Sequence, residues 1–279
     1  MATEAKRKTA LVTGASRGIG KAAALALAEH GYDVAITGRT VHEGEGRVNG
    51  VAVPGSLDLT AQAIEQRGGR AVAIAMDVTD RASITRGYEA AMHDFGHLDA
   101  LVNNAPYSGP GTEAKILDID LDIANQIVTT NYLNQLLLIQ LALPAMLTRG
   151  GGTIVNLGSG SALNPPPAPA GEGGWSLAYC ASKAAFHQVA VVVDVEYRSH
   201  GIRAFTLEPG YIVTEKAVAM NHGSTYQKFF AGDPPAVGGN AIAWLIYSPE
   251  ADRFLGKIVH AQAVCRKHDL VPGWPPPPV

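Results

Sequence analysis

The chain has 279 residues, 47% of them hydrophobic and 17% charged, with a formal net charge of −3. That is enough chain and apolar content for one large α/β domain or two small ones. The near-neutral balance removes any electrostatic case for nucleic acid or an anionic membrane as a partner. Two cysteines, Cys180 and Cys265, stand far apart and in no metal-ligand spacing, which points to a reducing compartment, no disulfide framework and no metal. Met1 to Thr9 is polar and basic and lacks the apolar core of a leader, so a cytoplasmic protein is expected. The apolar run Leu136 to Leu147, interrupted by Gln140 and Pro144, is too short to span a bilayer.

Short runs rich in Val and Ile alternate with helical patterns along the chain. Strands are expected over Thr9 to Thr13, Asp33 to Thr37, Ala71 to Met76, Ala100 to Asn103, Thr153 to Leu157 and Ile202 to Leu207, with a seventh at Lys257 to Ala261. Helices are expected over Ile19 to His30, Leu59 to Arg67, Arg81 to Phe95, Leu121 to Leu147 and Leu177 to His200. This alternation predicts a doubly wound parallel sheet of about seven strands with helices on both faces. No repeat or linker divides residues 1–279, so one domain is expected. Arg39 to Ser56 reads as an irregular, Gly-rich insertion, and Asn164 to Gly174 as a Pro/Gly-rich loop. The tail from Pro272 to Val279 reads as a frayed or packed terminus, or else as a polyproline ligand for a partner domain.

The first strand runs into Thr13-Gly14-Ala15-Ser16-Arg17-Gly18-Ile19-Gly20, which opens a helix. Glycines at 14, 18 and 20 permit a tight turn and close approach to a pyrophosphate at the positive helix end. The spacing is Gly-x3-Gly-x-Gly rather than the commoner Gly-x-Gly-x-x-Gly fingerprint. An acidic residue at the end of the second strand would bind the 2′-hydroxyl of NAD, whereas this strand ends in Gly38-Arg39. Arg39, helped by Arg17, suits a 2′-phosphate, so NADP(H) is expected over NAD(H). The bland alternative is a pair of solvated arginines. Asp77-Val78 and Asn103-Asn104 follow the third and fourth strands, where such a sheet binds its ligand. A helix cap and a hydrogen-bonded turn are the alternatives there.

Tyr179 and Lys183 are four residues apart on the helix that opens at Leu177, and so share a face. A cation about 4 Å from a phenol, at an effective dielectric of about 20, would lower the phenol's pKa from about 10 by on the order of three units. That would turn Tyr179 into an acid–base group at working pH. An amphipathic helix with this spacing by chance is the alternative.

With these segments in view the chain resembles the short-chain dehydrogenase/reductase family. The resemblance rests on the Thr-Gly-x3-Gly-x-Gly turn, Asp77, Asn103-Asn104-Ala105, Asn131, Ser159, Tyr179-x3-Lys183 and Pro209-Gly210-Tyr211-Ile212-Val213-Thr214. It implies a Rossmann-type fold and a catalytic set of Asn131, Ser159, Tyr179 and Lys183. Asn131 would hold a water in a proton relay, and Ser159 would hold the substrate oxygen. Tyr179 would exchange a proton with that oxygen, and Lys183 would bind the nicotinamide ribose. Ile212 and Thr214 would contact the carboxamide, with Asp77, Val78 and Asn104 at the adenosine half. The activity implied is NADP(H)-dependent interconversion of a carbonyl and an alcohol. A catalytically inactive cofactor-binding sensor or scaffold is the alternative. Enoyl reduction is disfavoured, because those relatives space Tyr and Lys more widely. Family members often form tetramers, and the nearly all-apolar helix around Leu133 to Leu143 fits burial in a homo-oligomer.

Departures from the family pattern are Pro106 where Gly is usual, Gly158 where a second Ser is common, and no Asp-Gly-Gly after the last strand. Ser161 is a possible substitute hydroxyl. The long loop before Trp175 is a candidate substrate wall. The segment Tyr211 to Gly232, with Met220, Tyr226, Phe229 and Phe230, is a candidate flap over a partly apolar ligand. Cys180 is expected to be a packing residue, and His93 with His97 is not expected to bind metal.

Overall fold

The structure, a computed structural model, describes residues 7–220, 223–226 and 228–275. Its strands are β1 (Lys8–Thr13), β2 (Tyr32–Gly38), the short β3 (Arg47–Val48) and β4 (Val51–Ala52), β5 (Ala71–Ala75), β6 (Ala100–Asn103), β7 (Gly152–Leu157), β8 (Ile202–Glu208) and β9 (Ile258–His260). Seven of them form one sheet in the order β5-β2-β1-β6-β7-β8-β9, and every pair in it is parallel. The order reverses between β1 and β6, so the crossovers on either side leave a crevice at the carboxyl edge. Register aligns that edge: Thr13 pairs with Thr37, Asn103 with Asn156, and Leu157 with Leu207. The expected doubly wound single domain is what forms.

Helices cover both faces, which is why β1, β2 and β6 are almost unbroken runs of buried Ala, Leu, Val and Ile. Helices α1 (Gly18–Glu29), α2 (Leu57–Glu65), α9 (Pro235–Tyr247) and α10 (Ala261–His268) pack on one face, where Leu27, Ile64, Val237, Ile242 and Val264 are core. On the other face α3 (Arg81–Phe95), α5 (Asn134–Thr148) and α6 (Leu177–Tyr197) contribute Ile84, Leu138, Ile139 and Phe186.

Helices α9 and α10 were not among the expected elements, and two expected segments take another form. The helix expected over Leu121 to Leu147 is interrupted: α4 (Leu121–Val128) passes through a π turn at Thr129–Leu133 before α5 begins. Within that turn the Asn134 amide reaches back five residues to the Thr129 carbonyl, and the Gln135 side chain takes up the Thr130 carbonyl. The second is the insertion, which is not irregular throughout. Asn49 (φ 48°) and Gly50 (φ 81°) form a two-residue turn with both φ positive, joining β3 to β4 with Val48 opposite Val51. The hairpin then anchors itself by burying Val48 and Val53.

Candidate active site

The glycine turn sits at the carboxyl end of β1. Gly14 (φ 66°) and Gly18 (φ 58°) hold a conformation that costs other residues steric strain. Gly20 has an ordinary φ, but a Cβ there would collide with the Gly14 carbonyl and the Asn104 amide. Asn104 braces the turn, donating from Nδ2 to the Thr13 carbonyl at 2.7 Å and the Gly14 carbonyl at 3.3 Å. Thr13 Oγ1 completes the brace by accepting the backbone amides of Asn104 and Ala105. Asn104 is thus the hydrogen-bonded turn residue that the sequence allowed, and it also faces the cavity. At the head of α1 the Gly18 amide donates to Glu215 Oε2 at 2.8 Å. A carboxylate oxygen stands where a pyrophosphate oxygen is expected, so the cradle fits an anionic dinucleotide.

A cavity of about 440 Å³ extends from this turn. Of the residues expected to bind a cofactor, Gly14, Ser16, Arg17, Gly18, Ile19, Arg39, Asp77, Val78, Asn104 and Thr214 line it. Gly20, Tyr179, Lys183, Pro209, Gly210 and Ile212 do not. Gly210 (φ 73°) forms the bend after β8, the Pro209 carbonyl accepts Gln262 Nε2, and Ile212 is buried beside the Asp233 bridge. Asp77 Oδ1 accepts the amide and hydroxyl of Thr79, shaping the turn into α3, while Asp80 is the actual helix cap. Glu45, Arg47, Val48, Ser108 and Lys216 also line the cavity and were not singled out from the sequence.

Arg17 does something other than expected. Its Nε donates to the Pro54 carbonyl at 2.8 Å, and Nη2 donates to the Gly55 carbonyl at 2.6 Å and to Thr40 Oγ1 at 3.2 Å. Its donors are directed at the insertion, which it docks against the glycine turn. Docking brings the hairpin to the adenosine end and Arg47 into the cavity. Arg47 Nη1 is fixed by the carbonyls of Gly44 and Gly46. Arg39 is exposed, and no described residue takes a hydrogen bond from it.

Ser159, Tyr179 and Lys183 gather where β7 meets α6. Ser176 caps α6 through the Tyr179 amide, fixing where the helix begins and hence the phase of the Tyr–Lys face. Lys183 is buried and donates from Nζ to the Leu157 carbonyl at 2.8 Å. Ser159 Oγ pairs with Ser161 Oγ at 2.9 Å and accepts the Ser161 amide, so both candidate hydroxyls share one bond. Burial pushes the Tyr179 phenol up to about 12, against a smaller downward pull from the Ser159 hydroxyl, and lowers the Lys183 ammonium to about 8. The lysine therefore loses its charge before the phenol ionises. At Tyr179 burial is the dominant influence and raises the phenol, an effect that the helical spacing alone does not carry. Asn131 is buried in the π turn, where Oδ1 accepts the Tyr107 amide at 2.7 Å and Nδ2 donates to Ser182 Oγ at 3.0 Å. Its side chain ties the turn to α6, since Ser182 in turn donates to the Tyr179 carbonyl.

Aromatic rings cover this group. Trp175, at the end of the Pro-rich loop, stacks on Tyr179 at 6.3 Å and lies 5.2 Å from Tyr226 and 6.0 Å from Phe230. Tyr211 packs on both Tyr226 and Phe230. The flap carries α7 (Glu215–Ala219) and α8 (Gly223–Tyr226), and its ends are tied by amide bonds between Val213, Asp233 and Tyr211. Loop and flap thus pack together as one aromatic cluster. Phe229 is more than one-third exposed, and Asn221, His222 and Gln227 lie outside the described residues. Cys180 is half-buried, and burial raises its thiol pKa, as befits a packing residue. His97 is buried against the Phe95 carbonyl, and His93 is exposed. No helix among the described residues is long and apolar enough to cross a membrane. Trp274 Nε1 donates to Asp233 Oδ1, so the tail is packed as far as it is described; residues 276–279 lie outside.

A nucleotide cradle beside a Ser, Tyr and Lys group, on the carboxyl edge of a doubly wound sheet, defines a dinucleotide-dependent oxidoreductase. The family model described as short chain dehydrogenase matches residues 8–225, and the chain belongs to that family. It is similar to glucose 1-dehydrogenase 2 of Bacillus subtilis, at 29% identity with 89% of this chain and 91% of that one covered. It is similar also to an L-rhamnose 1-dehydrogenase (NAD(P)(+)) of Sphingomonas, at 34% identity over 75% and 74% of the two chains. Among solved structures, a short-chain type dehydrogenase/reductase from Mycobacterium marinum superposes with a TM-score of 0.76 at 28% identity, covering 91% and 93%. The chain is accordingly an NAD(P)-dependent oxidoreductase acting on CH–OH and carbonyl groups.

Proposed function

We propose that the protein is an NADP(H)-dependent reductase of ketones or aldehydes, or the reverse alcohol dehydrogenase, with Tyr179 as general acid–base. The observation that carries this reading is the convergence of Ser159, Tyr179 and Lys183 beside a cavity whose adenosine end presents Arg39 and Arg47. No carboxylate ends β2 to select a ribose hydroxyl, and two guanidinium groups favour a 2′-phosphate dianion. When bound, the nicotinamide supplies or accepts the hydride. The Ser159 hydroxyl holds the substrate oxygen, and Tyr179 gives or takes its proton. Lys183, held from Leu157, fixes the ribose side of the site. Asn131 keeps the π turn and α6 in register, and a water relay past it is part of the proposal. The aromatic wall favours a partly apolar substrate.

Tyr179→Phe should retain NADPH affinity while losing about 10²–10⁴-fold in turnover across a panel of ketones and alcohols. Undiminished turnover would refute the mechanism. Equal use of NADH and NADPH, unchanged in Arg39→Ala, would refute the cofactor preference alone. A homo-oligomer is also proposed, because Leu121 of α4 and Val195 of α6 are 82% and 80% exposed. Light scattering that returns a monomer mass would overturn it.

A further inference from the structure

His187 follows Lys183 by one helical turn, so Tyr179, Lys183 and His187 succeed one another along a single face of α6. The side chain is 4% exposed. Its Nε2 lies 3.1 Å from the backbone nitrogen of Ser159 and accepts that amide. An accepting ring nitrogen is the unprotonated one, so the proton sits on Nδ1, which has no hydrogen-bond partner. Burial, reinforced by nearby Lys183, lowers the imidazole to about 4, so it remains a neutral acceptor at working pH.

The Ser159 amide needs this acceptor. The ladder between β7 and β8 ends with Leu157 opposite Leu207, and Gly158 donates the last bond, to the Leu207 carbonyl. Ser159 carries the first amide beyond the ladder, and a half-buried amide without a partner is costly. The same contact explains Gly158: a Cβ there would collide with His187 Nε2. Glycine before the serine and histidine on α6 are two halves of one device.

We infer that His187 is a positioning residue, holding the backbone of Ser159 so that its hydroxyl faces the substrate oxygen. The inference rests on the reading of Ser159 given above. His187→Leu removes the acceptor at similar bulk, whereas His187→Gln can offer Oε1 near the place of Nε2. With the best carbonyl of the panel, kcat should fall about tenfold in the Leu variant and recover to within about threefold in the Gln variant. NADPH affinity should stay within about twofold in both, because the cradle is elsewhere. In a His187→Ala background, Gly158→Ala should add nothing to a loss that it causes by itself in the wild type.

Unchanged kcat in His187→Leu, equal losses in Leu and Gln, or NADPH affinity lost along with kcat would each overturn the inference. Amide exchange at Ser159 reads the same bond without turnover: it should be faster in the Leu variant and near wild type in the Gln variant. If the wild type reduces no carbonyl, the functional reading fails, and exchange alone decides His187: protection unchanged in His187→Leu overturns its role.

Discussion

Glu215 occupies the position at the head of α1 that an anionic ligand needs. Its Oε2 accepts the Gly18 amide at 2.8 Å, and a pyrophosphate held at the same N–H would have to displace that carboxylate. A hydrogen bond to a charged group contributes about 1.5–3 kcal/mol when well buried. Glu215 is half-buried, and solvent screening leaves about 1 kcal/mol. Glu215→Ala removes the competitor and should tighten NADPH binding about fivefold, since about 1.4 kcal/mol is tenfold; NADPH fluorescence titration measures it. Thr214 still caps α7 through the Ala217 amide, so the flap helix keeps its start. The lost bond also stabilised the empty protein. In a chain of this size about 1 kcal/mol lowers Tm by about 2 °C, and the deficit should vanish at saturating NADPH. Affinity and stability must move by similar energies in opposite directions, with Glu215→Gln between wild type and Ala. Unchanged or weaker NADPH binding in Glu215→Ala would refute the displacement.

Other outcomes follow from the same site. Arg47→Ala should weaken 2′,5′-ADP about threefold by calorimetry and leave 5′-ADP unchanged, whereas Arg17→Ala should weaken both by freeing the insertion; equal losses for both ligands in Arg47→Ala would exclude a 2′-phosphate contact. Lys183 is lowered to about 8 from 10.5, so the folded state bears a buried cation below pH 8 that the unfolded chain carries in water. That penalty, on the order of 1–3 kcal/mol, is relieved as pH rises from about 8 to 10.5. Lys183→Met should therefore be more stable than wild type at neutral pH in urea titrations, with the gap closing over that range; a constant gap refutes the linkage. Carbonyl reduction should be nearly flat between pH 6 and 8, while alcohol oxidation rises by up to about tenfold per unit. Parallel profiles would show that Tyr179 is not the group exchanged.

Much of this arrangement was legible in the chain, because the features that specify it are local. Glycines at 14 and 18 are demanded by positive φ, and Val/Ile runs by burial on both faces. Arg81–Phe95 and Ala100–Asn103 were read to the residue, each bounded by a cap or a polar break. What was missed depends on distant partners or on a pattern without a period. Helix α9 is apolar almost all round and contains Gly238 and Gly239, which lets it pack on Ala22 of α1; neither period nor propensity announces such a helix. The Asn49-Gly50 hairpin did have its signal, overlooked within a Gly-rich stretch. The π turn had none, since it depends on Asn131 and Gln135 reaching the 105–107 segment. Arg17 does line the cavity at the glycine turn, but its bonds go to the carbonyls of residues 54 and 55, which the sequence order does not announce.

The Tyr–Lys spacing put the two groups on one face and said nothing of the dielectric around them. Burial acts on the pair with opposite signs, favouring the neutral phenol and the neutral amine alike. A phenol raised to about 12 is protonated throughout the working pH range, and on the proposed mechanism that is the form carbonyl reduction consumes. On the same mechanism oxidation would need the phenolate, the form that burial opposes. The lysine keeps its charge only below about pH 8, where its ammonium has the Leu157 carbonyl as partner. Around neutral pH a protonated phenol and a charged lysine thus lie on one face of α6, the protonation states that the proposed reduction would use. On the proposed mechanism, oxidation at neutral pH would first have to remove the proton of a phenol that stacks on Trp175.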